Sequence, residues 1–193
     1  MGSMNEDMIE AARLPEGDAI RILLEQHAQI RELFTVVKSS TAQDKQRAFD
    51  ELRALLAVHE TAEEMVLRPV SAQTAGRAIA SARNDEEAEA NKVLAALEKM
   101  DCGSGEFDAL FASFEVAVDQ HARNEETEEF PRVLAECDDD RRALMGTQIE
   151  AAESIAPTHP HPSVAGSPVA QWAVGPFASL VDRTKDAIAK AMR

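Results

Sequence analysis

The sequence predicts an all-α protein, an up-down-up-down antiparallel four-helix bundle over residues 17–137 with further helices after it. Three observations predict it. The composition favours helix over sheet, being rich in Ala, Glu, Leu and Arg, with no Tyr and only 4% aromatic residues. Four long segments carry apolar residues at i, i+3, i+4 and i+7. The connections between those segments are short, which makes consecutive helices antiparallel neighbours.

Taken in chain order, residues 1–16 read as an N-terminal tail, and the leading Met1-Gly2-Ser3 is set aside as an appended leader. The first long segment, "DAIRILLEQHAQIRELFTVVKSS", opens with Asp18 as N-cap. The second starts after "SST" and is expected to end before Pro69, because proline lacks the amide hydrogen that a helix interior uses. The third runs from about Ser71 to Met100 and stops at "DCGSG". The fourth, "EFDALFASFEVAVDQHARNEETEEF", is expected to break at Pro131. An additional helix occupies 138–156, with Asp138 to Asp140 favourable at its N-terminus. Residues 157–193 form a Pro-rich linker and a C-terminal amphipathic helix with Phe177, Leu180, Val181 and Ile188 on one side. That side is expected to pack on the bundle or to form a homo-oligomer contact rather than to lie on a membrane.

Charge and hydropathy narrow the function classes. A net charge of −15 and a pI near 4.7 argue against nucleic acid and anionic membrane as partners, since both require a basic surface. No apolar run is long enough to cross a bilayer, so the expected location is cytoplasmic. Cys102 and Cys137 flank the fourth segment, ~35 Å apart at ~1.5 Å per residue, too far for a disulfide. They are expected to be free thiols.

The apolar stripes contain residues that do not belong in an apolar core. His27 lies in the stripe of the first segment. The second carries His59 and Glu63 in "HETAEE", the third Glu87, and the fourth His121 and Glu125 in "HARNEETEEF". A pair four apart on one helix aims both side chains at nearly the same place. Counted from the turns, the donors of all four segments fall at similar heights, and the chain reads as a doubled hairpin. Burying a lone carboxylate costs several kcal/mol or more. Six donors from four helices match a pair of metal ions in a bundle core. Three glutamates, two ferrous ions and one hydroxide sum to zero charge, which accounts for their burial. If the third helix is out of phase by one residue, Glu86 replaces Glu87. The flanking Glu60, Glu64, Glu126, Glu128 and Glu129 read mostly as a solvated face, although an acid hydrogen-bonded to a ligating imidazole is also a normal arrangement. His159 and His161 in "THPHP" read as exposed or linker contacts.

In order and spacing, His27, His59-x-x-x-Glu63, a donor on the third helix and His121-x-x-x-Glu125 resemble the hemerythrin-like (HHE cation-binding) family. "HARNEETEEFPRVL" is especially similar to its last-helix motif. The resemblance covers residues 17–137, and the tail is similar to those of bacterial, actinobacterial members. It implies a four-helix bundle holding two non-heme iron ions bridged by oxo or hydroxo. Glu63 and Glu125 would bridge the irons, and His27, His59 and His121 would be terminal ligands. One position departs from the family pattern. Where the family usually has a histidine, this chain has Glu87, with Arg83 and Asn91 one turn to either side. An anionic oxygen donor favours ferric iron and disfavours a stable ferrous–dioxygen adduct. The expectation is therefore redox handling of peroxide or a small diatomic: catalase-like disproportionation of H2O2, or NO or O2 chemistry, with Glu87 as the catalytic proton shuttle. The alternatives are reversible O2 or NO binding, or iron or redox sensing, without turnover. A third is a helical interaction protein with zinc or no metal.

Overall fold

A computed structural model describes residues 3–155, and among them the regular structure is helical throughout. The helices are α1 (Met4–Ala11), α2 (Ala19–Ser39), α3 (Ala42–Ala62), α4 (Arg68–Ser71), α5 (Arg77–Leu97), α6 (Gly105–Asn124), α7 (Phe130–Glu136) and α8 (Asp139–Ile155). Helices α2, α3, α5 and α6 form the antiparallel bundle, with α1 packed on α2 and α8 packed on α2 and α3. The C-terminal amphipathic helix and His159 and His161 lie outside the described residues. No described helix is long and apolar enough to cross a membrane.

Local chemistry sets the helix starts. Asp18 accepts the Ile20 N–H at 2.9 Å, and Ser104 accepts the Phe107 N–H at 3.1 Å. Ser3, set aside as a leader in the sequence reading, forms a reciprocal capping box with Glu6 and starts α1 within the expected tail. The additional helix starts where its acidic run predicts, with Asp138 accepting the Arg141 N–H at 2.9 Å.

The prolines do not end helices as expected. A five-residue π turn, Glu63–Leu67, carries the chain from α3 into α4, and another, Glu125–Glu129, carries it from α6 into α7. Pro69 and Pro131 fall in the first turn after each. The wide turn rearranges the carbonyl ladder beneath the proline, so the missing amide disrupts nothing. The third segment also begins later than expected. A π turn at Ala72–Gly76 precedes α5, and Gly76 at φ 102° supplies the backbone break that proline was expected to supply.

The core is two apolar clusters with a polar layer between them. One gathers Ile20, Leu23, Leu24, Leu67, Phe130 and Ile149. The other gathers Phe34, Phe49, Leu97, Phe107, Phe111 and Phe114. His27 lies between Leu24 and Phe34 along α2, and His121 and Glu125 lie between Phe114 and Phe130 along the fourth segment. Cys137 and Cys102 are free and buried in opposite clusters, consistent with a separation that forbids a disulfide.

Candidate metal centre

The polar layer is built from residues whose helical spacing forces them together. His59 and Glu63 are four apart, as are His121 and Glu125, so each pair presents one imidazole and one carboxylate inward. The bundle brings all six predicted residues into one place. His27, His59, Glu63 and Glu125 each offer a donor atom, with the four atoms within 4.8 Å of one another. Glu63, Glu87, His121 and Glu125 do the same. Glu63 and Glu125 belong to both groups, so the two groups lie side by side and share two carboxylates.

The atoms divide cleanly between the groups. In the first, His27 Nε2 lies 3.3 Å from Glu125 Oε2, and His59 Nε2 lies 3.4 Å from Glu63 Oε1. In the second, His121 Nε2 lies 3.3 Å from Glu125 Oε1, 3.7 Å from Glu63 Oε2 and 3.7 Å from Glu87 Oε1. Each shared carboxylate thus turns one oxygen toward each group.

Every imidazole is oriented from behind. Gln26 Oε1 accepts from His59 Nδ1 at 2.7 Å, Glu126 Oε1 from His27 Nδ1 at 2.8 Å, and Glu86 Oε2 from His121 Nδ1 at 2.9 Å. Holding the outer nitrogen as a donor leaves Nε2 as the inward nitrogen, the one available to an ion. Glu86, the alternative donor on the third helix, is instead the acid behind His121, and Asn124 also donates to it. The orienting groups reach further out. Glu153 of α8 accepts from Gln26, and Arg31 joins Glu126 to Asp7 of α1.

Of the five flanking glutamates expected mostly on a solvated face, Glu128 alone is exposed. Glu64 and Glu129 are fully buried. Glu64 lies with Glu60 and Glu87 in a further group of carboxylates, and Glu129 is held by Arg68.

The donor set fits metal ions. His27 Nε2, His121 Nε2, Glu63 Oε1, Glu87 Oε2 and Glu125 Oε2 are buried without a hydrogen-bond partner. Five such atoms in one layer are far above the usual frequency, and each would cost about 1–3 kcal/mol left as it is. An ion in each group would satisfy the two imidazole nitrogens and the Glu63 and Glu125 oxygens, and mixed imidazole and carboxylate donors suit iron or zinc. Burial raises Glu63 to about 7, with the negative charge of Glu125 adding to it. Burial also raises Glu87 well above the carboxylate range, despite the opposing charge of Arg68. Glu125 goes the other way: burial pushes it up, but the positive charges of His121 and Arg68 outweigh that and hold it well below.

Arg68 is the residue the sequence reading missed. It is 2% exposed. Its Nη1 donates to both oxygens of Glu129, at 2.8 and 2.6 Å. Its Nη2 donates to Glu125 Oε1 at 2.8 Å, to Glu63 Oε2 at 3.3 Å and to Glu87 Oε1. The π turn places it there. The Arg68 N–H bonds the Glu63 carbonyl, which stacks residue i+5 over residue i, where α-spacing would have stacked Leu67. The detectable signal is the proline one residue later, which reads as a helix stop but follows a bulge.

A cavity of about 530 Å³ reaches this layer. Its walls include Ile30, Phe34, Leu56, Leu94, Phe114 and Val118, and its lining includes His27, His59, Glu63, Glu87 and His121.

Residues 18–133 match the model of the Hemerythrin HHE cation binding domain. A hemerythrin-like protein of Schizosaccharomyces pombe is 23% identical over 138 residues, 70% of this chain and 68% of the relative. A crystal structure of a hemerythrin HHE cation binding domain-containing protein from Mycobacterium kansasii aligns with a TM-score of 0.65. That alignment has 20% identity and covers 85% of this chain and 97% of the other.

Proposed function

The chain belongs to the hemerythrin HHE cation-binding domain family, and on that premise we propose that it holds two iron ions side by side and handles hydrogen peroxide or a small diatomic with them. The observation that carries the reading is the pair of donor groups sharing Glu63 and Glu125. His27 and His59 would hold one ion, His121 and Glu87 the other, and the shared carboxylates both. Bound iron supplies a reversible one-electron couple at each position.

The chain's own residues support small, uncharged substrates. The apolar cavity walls admit H2O2, O2 or NO and disfavour hydrated ions. Gln26, Glu126 and Glu86 fix the imidazoles, so the donors do not rearrange between oxidation states. Glu87 Oε2 is buried, without a hydrogen bond, on a residue that lines the cavity. It is the atom assigned to hold a proton taken from peroxide and to return it to the departing water. The overall reaction is disproportionation of two peroxides to one dioxygen and two waters.

The test is metal content per chain by element on freshly purified protein, followed by peroxide consumption by the oxidised form. Two irons per chain with rapid oxygen evolution is the expected result. Near-zero metal, or a single zinc, overturns the reading. Two irons with a reversible spectral change and no peroxide loss replaces turnover by binding or sensing.

A further inference from the structure

The two donor groups are not equivalent, and Arg68 is the reason. The oxygens of the first group, Glu63 Oε1 and Glu125 Oε2, are buried with no hydrogen bond, as is His27 Nε2. Their near polar neighbours are the imidazoles of the same group, His59 Nε2 at 3.4 Å and His27 Nε2 at 3.3 Å. In the second group Glu63 Oε2, Glu125 Oε1 and Glu87 Oε1 all accept from Arg68 Nη2, and of its inward oxygens Glu87 Oε2 carries no hydrogen bond. The guanidinium is anchored from behind by Glu129, so it cannot simply drift away from them.

The sequence repeat sharpens the contrast. His59 and Arg68-Pro69 in the first half correspond to His121 and Phe130-Pro131 in the second, each following a π turn. At the equivalent position the second half places an uncharged ring. Phe130 stacks on His27 of the first group at 5.6 Å with a 17° interplanar angle. One half of the doubled motif thus sets an aromatic face against the first group, and the other sets a cation against the second.

We propose that Arg68 makes the two subsites unequal, so that the His27/His59 subsite holds its ion tightly and the His121/Glu87 subsite fills last and empties first. A permanent positive charge beside the second subsite repels a divalent cation, and its hydrogen bonds engage lone pairs that the ion needs. The same contacts give the second subsite a resident counter-charge for its carboxylates.

This inference rests on the two-ion reading above, and the experiment separates their failures. Full-length protein loaded with ferrous iron under argon is challenged with a ferrous chelator, and release is followed by absorbance. Two phases of equal amplitude are expected, with rates at least ten-fold apart. Glu87→Gln should remove the fast equivalent and spare the slow one, which assigns the phases. Arg68→Gln should slow the fast phase several-fold and bring the two rates together, while Arg68→Lys should retain the separation. A chain that binds no iron overturns the two-ion reading itself. Two irons leaving wild type in a single phase, or a fast phase unchanged in folded Arg68→Gln, overturns the role of Arg68 alone. Because the wild-type phases are themselves diagnostic, the test does not depend on any one variant folding.

Discussion

Gly146→Ala is expected to destabilise the protein through one contact. Gly146 lies on α8, and a Cβ built there would stand 2.0 Å from the Gly17 carbonyl oxygen and 3.3 Å from Ile22 Cδ1. The first contact is with backbone, so no side-chain rotation relieves it, and α8 must retreat by about an ångström. Met145, Ile149 and Ala152 of α8 are buried in the cluster with Ile20 and Leu23 and would retreat with it. A gap of about 0.5–1 Å forfeits roughly a quarter to a half of each contact. Full burial of a side chain such as Met145 or Ile149 is worth about 1.5–3 kcal/mol, so the expected loss is about 1–3 kcal/mol, in line with other overpacked sites. At the middle of that range the melting temperature falls about 4–8 °C for a chain of this size. Urea unfolding followed by circular dichroism measures it. Gly105→Ala is the control, since a Cβ there meets nothing within 4 Å. Gly17→Ala separates the causes: it has space but sits at φ +79°, so it should cost only about 1–2 kcal/mol of backbone strain. A Gly146→Ala protein as stable as Gly105→Ala would refute the close approach of α8 to the turn before α2.

Three other outcomes are expected. Gln26→Leu removes the acceptor behind His59 Nδ1 and should speed iron loss from the slow equivalent about 10–100-fold; an unchanged slow phase would show that Gln26 does not set the ring's orientation. Glu87→Ala should lower bound iron from about two to about one per chain and change the visible spectrum, and full stoichiometry with an unaltered spectrum would remove Glu87 from the ligand set. Cys102 and Cys137 are each under 5% exposed, and burial raises the Cys102 thiol pKa, so neither should react with a thiol reagent until the chain is unfolded in denaturant; one rapid equivalent in native buffer would contradict that burial.

The bundle was legible because each of its helices repeats an apolar stripe over several turns, and the donors were legible because they interrupt those stripes. His59 with Glu63 and His121 with Glu125 keep α-spacing, so their helical phase could be read directly. Beyond Glu63 and Glu125 the phase changes. A π turn stacks i+5 over i, so Arg68 and Phe130 face inward where an α-helical reading places Leu67 and Glu129. Glu64, expected on a solvated face, is buried beside Glu60 and Glu87. Proline misled for a related reason. Pro69 and Pro131 look like stops but sit just after turns that leave their missing amides without consequence. The supports of Gln26 by Glu153 and of Arg31 by Asp7 join residues far apart in sequence, so periodicity gives no sign of them.

The Glu153–Gln26–His59 chain bears on where a working unit can be cut from this protein. The family match closes at residue 133, whereas Glu153 lies on α8, beyond it. An excision at the family boundary would keep all six inward donors and all three π turns. It would also discard the group that holds Gln26 and bare the faces of α2 and α3 that α8 covers. The smallest portable form of the centre is therefore longer than the family signature, and a donor scaffold for grafting it should carry the α8 segment along with the bundle.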